Sequence, residues 1–302
     1  MANSETSSSA ASNSAVRTVL ITGASSGIGA ELAKLFAKDG YNLVLVADNE
    51  AGLRTIATQL ERQYNPNRFT LIVKDLAKPG APDELHREIL EKGITVNVLV
   101  NDAGFGEYGL FIETDLQREL AVIQLNVITL VHLTKLFLRE MIARGEGRIL
   151  QLASVASKAP APLLAVYGAT KSFVLSFTDA LINELKDTGV TMTALMPGAT
   201  DTNFFNAAGA ANTRVAASSL ADPAVVAKDG YEALMRGDGR VVSGFMNQVQ
   251  TALAAVIPDG VLAAAQRAQF EEAHSGASGE SNPGTPSSEV YSGQSHENND
   301  KV

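Results

Sequence analysis

Tyr167 and Lys171 stand four residues apart in the run Tyr167-Gly168-Ala169-Thr170-Lys171. On a helix that spacing puts both side chains on one face. Tyrosine is a poor acid, with a free pKa of about 10. A neighbouring ammonium favours the phenolate and lowers that value. Such a pair would give or take a proton near neutral pH. The spacing alone is a weak signal, because chance helices produce it often. The ordinary alternative is an exposed tyrosine beside a solvated lysine.

Ser154 lies thirteen residues before Tyr167, directly after an apolar run. Its hydroxyl could hydrogen-bond a carbonyl or an alcohol, although a serine in that place is also a common turn former or helix cap. His86, His132, His274 and His296 form no cluster and follow no strand end. They read as surface or packing residues, and no metal-ligand spacing is present.

A second chemistry opens the chain. Gly23, Gly27 and Gly29 sit between the apolar run Thr18 to Thr22 and a helical pattern from about Ile28 to Lys38. Glycines let the backbone turn tightly and approach a pyrophosphate, and the helix start offers free N–H groups. The spacing is G-x-x-x-G-x-G, and the alternative is a plain glycine turn. Asp48 ends the second strand pattern, nineteen residues after Gly29. An acid there can accept from ribose hydroxyls and would repel a 2′-phosphate, which favours NAD and leaves NADP open through nearby Arg54. Asp48 could instead cap the next helix. Asp75 ends the third strand, where it could accept from an adenine amino group. Asn101 to Gly104 ends the fourth on the same carboxyl edge, where open α/β sheets bind ligands.

The elements that must position these residues alternate. Strands are expected at Thr18 to Thr22, Asn42 to Ala47, Phe69 to Val73, Val96 to Val100, Gly147 to Ala153 and Val190 to Met196, with an edge strand at Arg240 to Ser243. Helices are expected at Asp48 to Gln63, with Leu53, Ile56 and Leu60 inward, and at Pro82 to Lys92. A long helix over Leu116 to Arg144 carries Leu120, Ile123, Val127, Leu130 and Leu133 at helical spacing. Further apolar residues on its other faces point to a subunit contact. Another helix, Leu164 to Asp187, holds Tyr167 and Lys171 above a stripe of Val174, Phe177, Leu181 and Leu185. Beyond Pro197 the pattern weakens to helical pieces at Asp222 to Arg236, Thr251 to Ile257 and Val261 to Ala273. Alternating strands and helices imply right-handed parallel crossovers and a doubly wound α/β sheet.

Composition bounds the rest. The chain has 302 residues, 45% apolar, enough for a full core. Net charge is −9 with no long basic run, which argues against nucleic-acid binding. The absence of cysteine excludes disulfides and thiol chemistry and fits a cytoplasmic protein. No run of about 18 apolar residues occurs, so no membrane span is expected. Residues 1–15 and 275–302 read as a disordered leader and an acidic disordered tail, leaving one folded domain over 16–274.

Taken together, TGASSGIG at Thr22 to Gly29, Asp75, NDAG at Asn101 to Gly104, Asn126, Ser154, YGATK at Tyr167 to Lys171 and PGATDT at Pro197 to Thr202 resemble the short-chain dehydrogenase/reductase family, in order and spacing. The resemblance covers about Val16 to Phe205. It implies a single Rossmann-type domain with a mostly parallel seven-stranded sheet, acting as an NAD(P)-dependent oxidoreductase on a small carbonyl or alcohol, as a homodimer or homotetramer. It implies that Tyr167 is the general acid/base. Lys171 would lower its pKa together with the nicotinamide charge, and would hold the nicotinamide ribose. Ser154 would orient the substrate oxygen, and Asn126 would hold a water that links Lys171 to solvent.

By the same resemblance, Gly23, Ser25, Ser26, Gly27, Ile28 and Gly29 would line the pyrophosphate, while Asp75 and Leu76 flank adenine. Asn101, Ala103 and Gly104 would pack along the cofactor, with Pro197, Gly198, Thr200 and Thr202 near the nicotinamide. Two departures stand out. Asp102 replaces the second asparagine of NNAG, so a local rearrangement is expected there. Asp48 stands where relatives often carry arginine, which supports NAD. The residues from Thr200 to Ala211 suggest a mostly apolar lid and an apolar or bulky substrate. A non-catalytic nucleotide-binding relative is the alternative, and the presence of Asn126, Ser154, Tyr167 and Lys171 together argues against it.

Overall fold

The computed structural model describes residues 16–64, 69–254 and 257–273. The expected leader and tail lie outside those residues. Seven strands form one sheet: β1 (Thr18–Thr22), β2 (Asn42–Ala47), β3 (Phe69–Val73), β4 (Val98–Asn101), β5 (Gly147–Leu152), β6 (Val190–Met196) and β7 (Arg240–Val242). Their order is β3-β2-β1-β4-β5-β6-β7. Every pairing is parallel, including the β6–β7 edge, where Ala194 faces Arg240. The sheet is thus more regular than a mostly parallel one.

The helices that connect these strands cover both faces. They are α1 (Gly27–Lys38), α2 (Glu50–Tyr64), α3 (Ala81–Glu91), α4 (Leu116–Ile123), α5 (Leu130–Arg144), α6 (Ala165–Glu184), α7 (Phe204–Ala207), α8 (Pro223–Arg236), α9 (Phe245–Ala254) and α10 (Asp259–Phe270). A parallel sheet must be apolar on both faces, and its strands read accordingly. Val19 and Ile21 of β1 pack with Leu32, Phe36 and Leu53 on one side. Leu20 packs with Leu99, Leu133, Phe137 and Met141 on the other. Each fully buried large side chain of this kind contributes roughly 1.5–3 kcal/mol.

The chain winds outward from β1 through β2 to β3, then returns to the other side of β1 as β4. The loops after β1 and β4 therefore diverge and leave a crevice at their carboxyl ends, the usual ligand position in such sheets.

The helix expected over Leu116 to Arg144 runs its full length but carries a π-helical segment, Gln124–Thr129, between α4 and α5. A π turn adds a residue to the turn and shifts the buried face by one position. The buried set is Glu119, Val122, Asn126, Thr129, Leu130, Leu133, Thr134, Phe137, Leu138 and Met141. Leu120 and Ile123 of the apolar pattern are exposed. By length and composition alone this helix could cross a membrane. In the fold, Leu133, Phe137 and Met141 belong to the core beneath the sheet, as the central helix of a globular domain does. The segment after Pro197 folds as α7 to α10, and α9 begins six residues before the helical piece expected at Thr251.

Candidate active site

A cavity of about 1320 Å³ fills the crevice. Gly23, Ser25, Ser26, Gly27 and Ile28 form one wall. Asp48, Asp75 and Leu76 line it beyond them, and Asp102, Ala103 and Gly104 form its base. Ser154, Tyr167, Pro197, Gly198, Thr200 and Thr202 close the other end.

The glycine wall is built for close approach. Gly23 and Gly27 have φ of +71° and +57°, in the left-handed region that side chains avoid. A Cβ on Gly27 would meet Thr202 Cγ2 at 3.0 Å. Gly29 does not line the cavity. A Cβ there would sit 2.6 Å from Gly23 O, so this glycine lets α1 pack against the loop. No side chain caps α1 at Ser26. The Gly29 N–H is turned to the Asp102 carboxylate, while the positive end of the helix dipole stands behind the first turn. That cradle fits a pyrophosphate.

Thr22, the last residue of β1, ties this wall to the base. Its hydroxyl oxygen accepts from Asp102 N and Ala103 N, both at 3.1 Å, and donates to Val100 O at 3.2 Å.

At the far side of the cavity Asp48 is exposed. The helix-cap alternative for it does not hold, because Asn49 Oδ1 accepts from Gly52 N at 3.1 Å and caps α2 instead. Arg54, considered as a phosphate ligand, donates to Glu50 Oε1 at 2.6 Å and does not line the cavity. Asp75 Oδ1 accepts from Ala77 N at 3.0 Å, and Thr129 Oγ1 donates to Leu76 O at 2.7 Å. Both bonds fix the loop after β3.

At the other end, Ser154 is both a cap and a cavity residue. Its Oγ accepts from Ala156 N at 3.1 Å at the head of a short 3-10 turn, Val155–Lys158. Ser157 Oγ accepts from Ser154 N at 3.2 Å and donates to Lys171 O at 2.8 Å. The serine is thereby locked against α6, which carries Tyr167. Phe204 packs on the Tyr167 ring at a centroid distance of 4.9 Å. Burial pushes the Tyr167 hydroxyl up to about 12, while the Ser154 hydroxyl beside it pulls the other way.

Burial is the larger influence on the phenol in this arrangement. Lys171 Nζ lies 5.7 Å from the ring centroid and donates to Leu152 O at 2.7 Å. Burial lowers its own proton affinity, to about 8, and the Asp102 carboxylate opposes that fall.

Besides Gly29, three predicted residues brace the site without lining it. Lys171 sits behind Tyr167. Asn101 turns inward, with Nδ2 donating to Thr134 Oγ1 at 3.1 Å and to Gln151 Oε1 at 2.9 Å. It lies under the cofactor wall and not along it. Asn126, in the π segment, donates to Phe105 O at 3.0 Å and to Thr170 Oγ1 at 3.1 Å. Both of its N–H groups are spent on protein, so it holds the loop after β4 in place. The pattern of β4 alone could not show that Asn101 points inward.

Over this end lies an apolar cover. Phe205, Ala208 and Ala210 pack with Tyr108, Val215, Leu220 and Phe270. The cover is wider than the lid expected from Thr200 to Ala211. The stretch around Val215 is latched to the end of α10, with Val215 N donating to Gln269 O at 2.9 Å and Tyr108 Oη to Phe270 O at 2.7 Å.

A doubly wound parallel sheet with a glycine cradle and a Ser-Tyr-Lys corner defines a dinucleotide-binding oxidoreductase class of fold and site. The chain belongs to the short-chain dehydrogenase family, whose description matches residues 17–213.

Among curated relatives, a very-long-chain 3-oxoacyl-CoA reductase of Phaeosphaeria nodorum is 36% identical over 174 residues, 57% of this chain and 51% of the relative. The chain thus spans about half the length of that relative. Among solved structures, a short-chain dehydrogenase from Sphingobium yanoikuyae in complex with NADPH has a TM-score of 0.71 at 28% identity, covering 80% of this chain and 96% of that one. A short chain dehydrogenase/reductase from Burkholderia phymatum in complex with NAD has a TM-score of 0.69 at 25% identity, covering 79% and 92%.

Proposed function

We propose that this chain is a nicotinamide-dependent oxidoreductase that interconverts a carbonyl and an alcohol. The observation that carries the reading is the placement of Ser154 and Tyr167 on one wall of a cavity whose opposite wall is the glycine cradle. When bound, the nicotinamide ring supplies or accepts a hydride. Ser154 holds the substrate oxygen by its hydroxyl. Tyr167 moves a proton to or from that oxygen at Oη, with Lys171 as the cation behind it. Proton transfer of this kind is worth about 10²–10⁴-fold. The glycine cradle and the start of α1 would hold the pyrophosphate. Asp75 and Leu76 would flank the adenine.

NAD is the preferred dinucleotide in this reading. An exposed Asp48 without a capping role suits ribose hydroxyls and repels a 2′-phosphate. Arg54 is held by Glu50, and Lys74, the cation that lines the cavity nearby, is paired with Glu84 at 3.0 Å. The apolar cover formed by Phe204, Phe205, Val215 and Phe270 suits an extended or bulky apolar substrate, in keeping with the long acyl chain named for the Phaeosphaeria relative.

The test is turnover of a panel of ketones and alcohols followed by the NADH signal. Tyr167→Phe should bind dinucleotide as the parent does and lose nearly all turnover. A variant as active as the parent removes Tyr167 from the chemistry. A parent that binds dinucleotide but turns over nothing across the panel supports a nucleotide sensor of the same fold.

A further inference from the structure

Under the apolar cover the cavity lining changes from apolar to polar toward solvent. Tyr167 packs on Phe204 at a centroid distance of 4.9 Å, and Phe204 on Phe205 at 5.6 Å. The cluster around Phe205 takes in Val215, Leu220 and Phe270. An apolar surface thus leads outward from the proton-transfer corner. Beside it Arg214, Ser218, Ser219, Gln266 and Gln269 line the cavity. All but the half-buried Gln266 are exposed, so these residues form a polar mouth.

Charge is unevenly spread along this cavity. Asp48, Lys74, Asp75 and Asp102 line its dinucleotide half, while the lining charges at the covered end are Arg118 and Arg214, both positive. Arg118 is committed to the protein. Its Nε donates to Glu107 Oε2 at 2.5 Å and its Nη2 to Ala207 O at 3.0 Å. Arg214 is not committed in that way. Its Nη1 stands 3.9 Å from Glu271 Oε2, beyond hydrogen-bond reach, and the same carboxylate is shared with Arg267 at 3.9 Å. Glu271 does not line the cavity.

The backbone fixes where this guanidinium starts. Arg214 N donates to Glu271 O at 3.0 Å, and Val215 N to Gln269 O at 2.9 Å. Buried Thr213, one residue earlier, donates through Oγ1 to Ala210 O at 2.7 Å. A guanidinium carries five N–H donors in a planar fork that matches a carboxylate or a phosphate. Among the described residues, those of Arg214 make no hydrogen bond to the protein.

We propose that Arg214 is a specificity-determining residue that binds an anionic group, a carboxylate or a phosphate, at the far end of the substrate. The substrate class is then an oxo or hydroxy compound whose reacting carbon is separated from its anion by an apolar segment long enough to run past Phe204 and Phe205. This rests on the oxidoreductase reading above and narrows it. An anion next to the reacting carbonyl would lie at Tyr167 and would not reach the mouth.

Methyl ketones that end in a carboxylate, with the intervening chain lengthened stepwise, test it against their methyl esters. Once the chain spans the cover, the acid should exceed the ester in kcat/KM by about fivefold, the upper end for an ion pair open to solvent. The excess should lie in KM and shrink as salt is raised. It should vanish in Arg214→Gln and persist in part in Arg214→Lys. Ketones ending in a phosphate monoester, with the free alcohols as neutral reference, form the second arm. The anion with the larger Arg214-dependent excess is the group the site takes. No excess for either anion at any chain length overturns the proposal, and so does an excess that survives in Arg214→Gln.

Binding decides the point without turnover. Saturated fatty carboxylates and their amides are titrated calorimetrically into the complex of the protein with NADH. The carboxylate should bind more tightly than the amide, and Arg214→Gln should remove the difference. Equal affinities in the parent overturn the subsite. A parent that turns over no ketone yet shows the Arg214-dependent difference would sink the oxidoreductase reading and leave the anion subsite standing.

Discussion

Asn126 holds Phe105 at both of its backbone groups: Nδ2 donates to Phe105 O at 3.0 Å, and Oδ1 accepts from Phe105 N at 3.3 Å. One side chain thus replaces a strand partner for the loop that leaves β4. The second N–H of Nδ2 reaches Thr170 Oγ1 at 3.1 Å, on the helix that carries Tyr167 and Lys171. The base of the cofactor wall and the proton-transfer corner are therefore tied through a single residue. The π segment sets that residue inward, and such segments are common at functional positions.

Asn126→Ala should leave two backbone groups unpaired, those of Phe105 N and Phe105 O, and remove one bond from Thr170 Oγ1, which still donates to Tyr167 O at 2.7 Å. Relaxation and water entry will satisfy some of them, so the expected loss of stability is about 2–4 kcal/mol. Chemical denaturation measures it. Turnover should fall more than dinucleotide affinity, because the pyrophosphate cradle is on the other wall. A fully stable Asn126→Ala protein would show that the clamp contributes nothing.

The cofactor reading turns on one exposed side chain. Titration by nicotinamide fluorescence should show NADH binding more tightly than NADPH. Asp48→Arg should reverse the order, since it replaces a repelling carboxylate with a phosphate ligand. A change of about tenfold in either affinity corresponds to 1.4 kcal/mol, which is modest for a charge next to a phosphate. Equal affinities in the parent would refute the role given to Asp48.

The fold was legible because a buried parallel sheet leaves a strong signature. Phe69–Val73 and Val190–Met196 are apolar, β-branched runs bounded by polar or glycine residues, and both strands fall where those runs do. The cavity walls were legible because motif residues cluster at strand ends. What sequence could not show is direction. Asn101 and Asp102 are neighbours, yet one turns into the core and the other faces the cavity. A regular helical period also carries no trace of a π turn, and the stripe through Leu120 and Ile123 lies one residue from the buried face. The ionisation of Lys171 and Tyr167 was not legible for a related reason. Spacing on a helix gives proximity, but burial of both groups and the bond from Nζ to Leu152 O decide their ionisation.

The same displaced face has a consequence for assembly. Leu116, Leu120 and Ile123 recur along α4 at helical spacing and are exposed, as are Ile128 in the π segment and Phe173 on α6. Phe173 stacks on Phe177 at a centroid distance of 5.8 Å, which gives α6 a flat aromatic surface next to α4. Exposed apolar residues gathered on adjacent helices are costly in water and are a common mark of a subunit contact. Self-association through this face as a homodimer or homotetramer is the expected state. Sedimentation velocity should show an oligomer for the parent, and the double substitution Leu120→Glu with Phe173→Glu should shift it toward the monomer. Neither residue lines the cavity, so dinucleotide affinity serves as the control for folding. A parent that sediments as a monomer at tens of micromolar concentration would leave these side chains without a partner of their own kind.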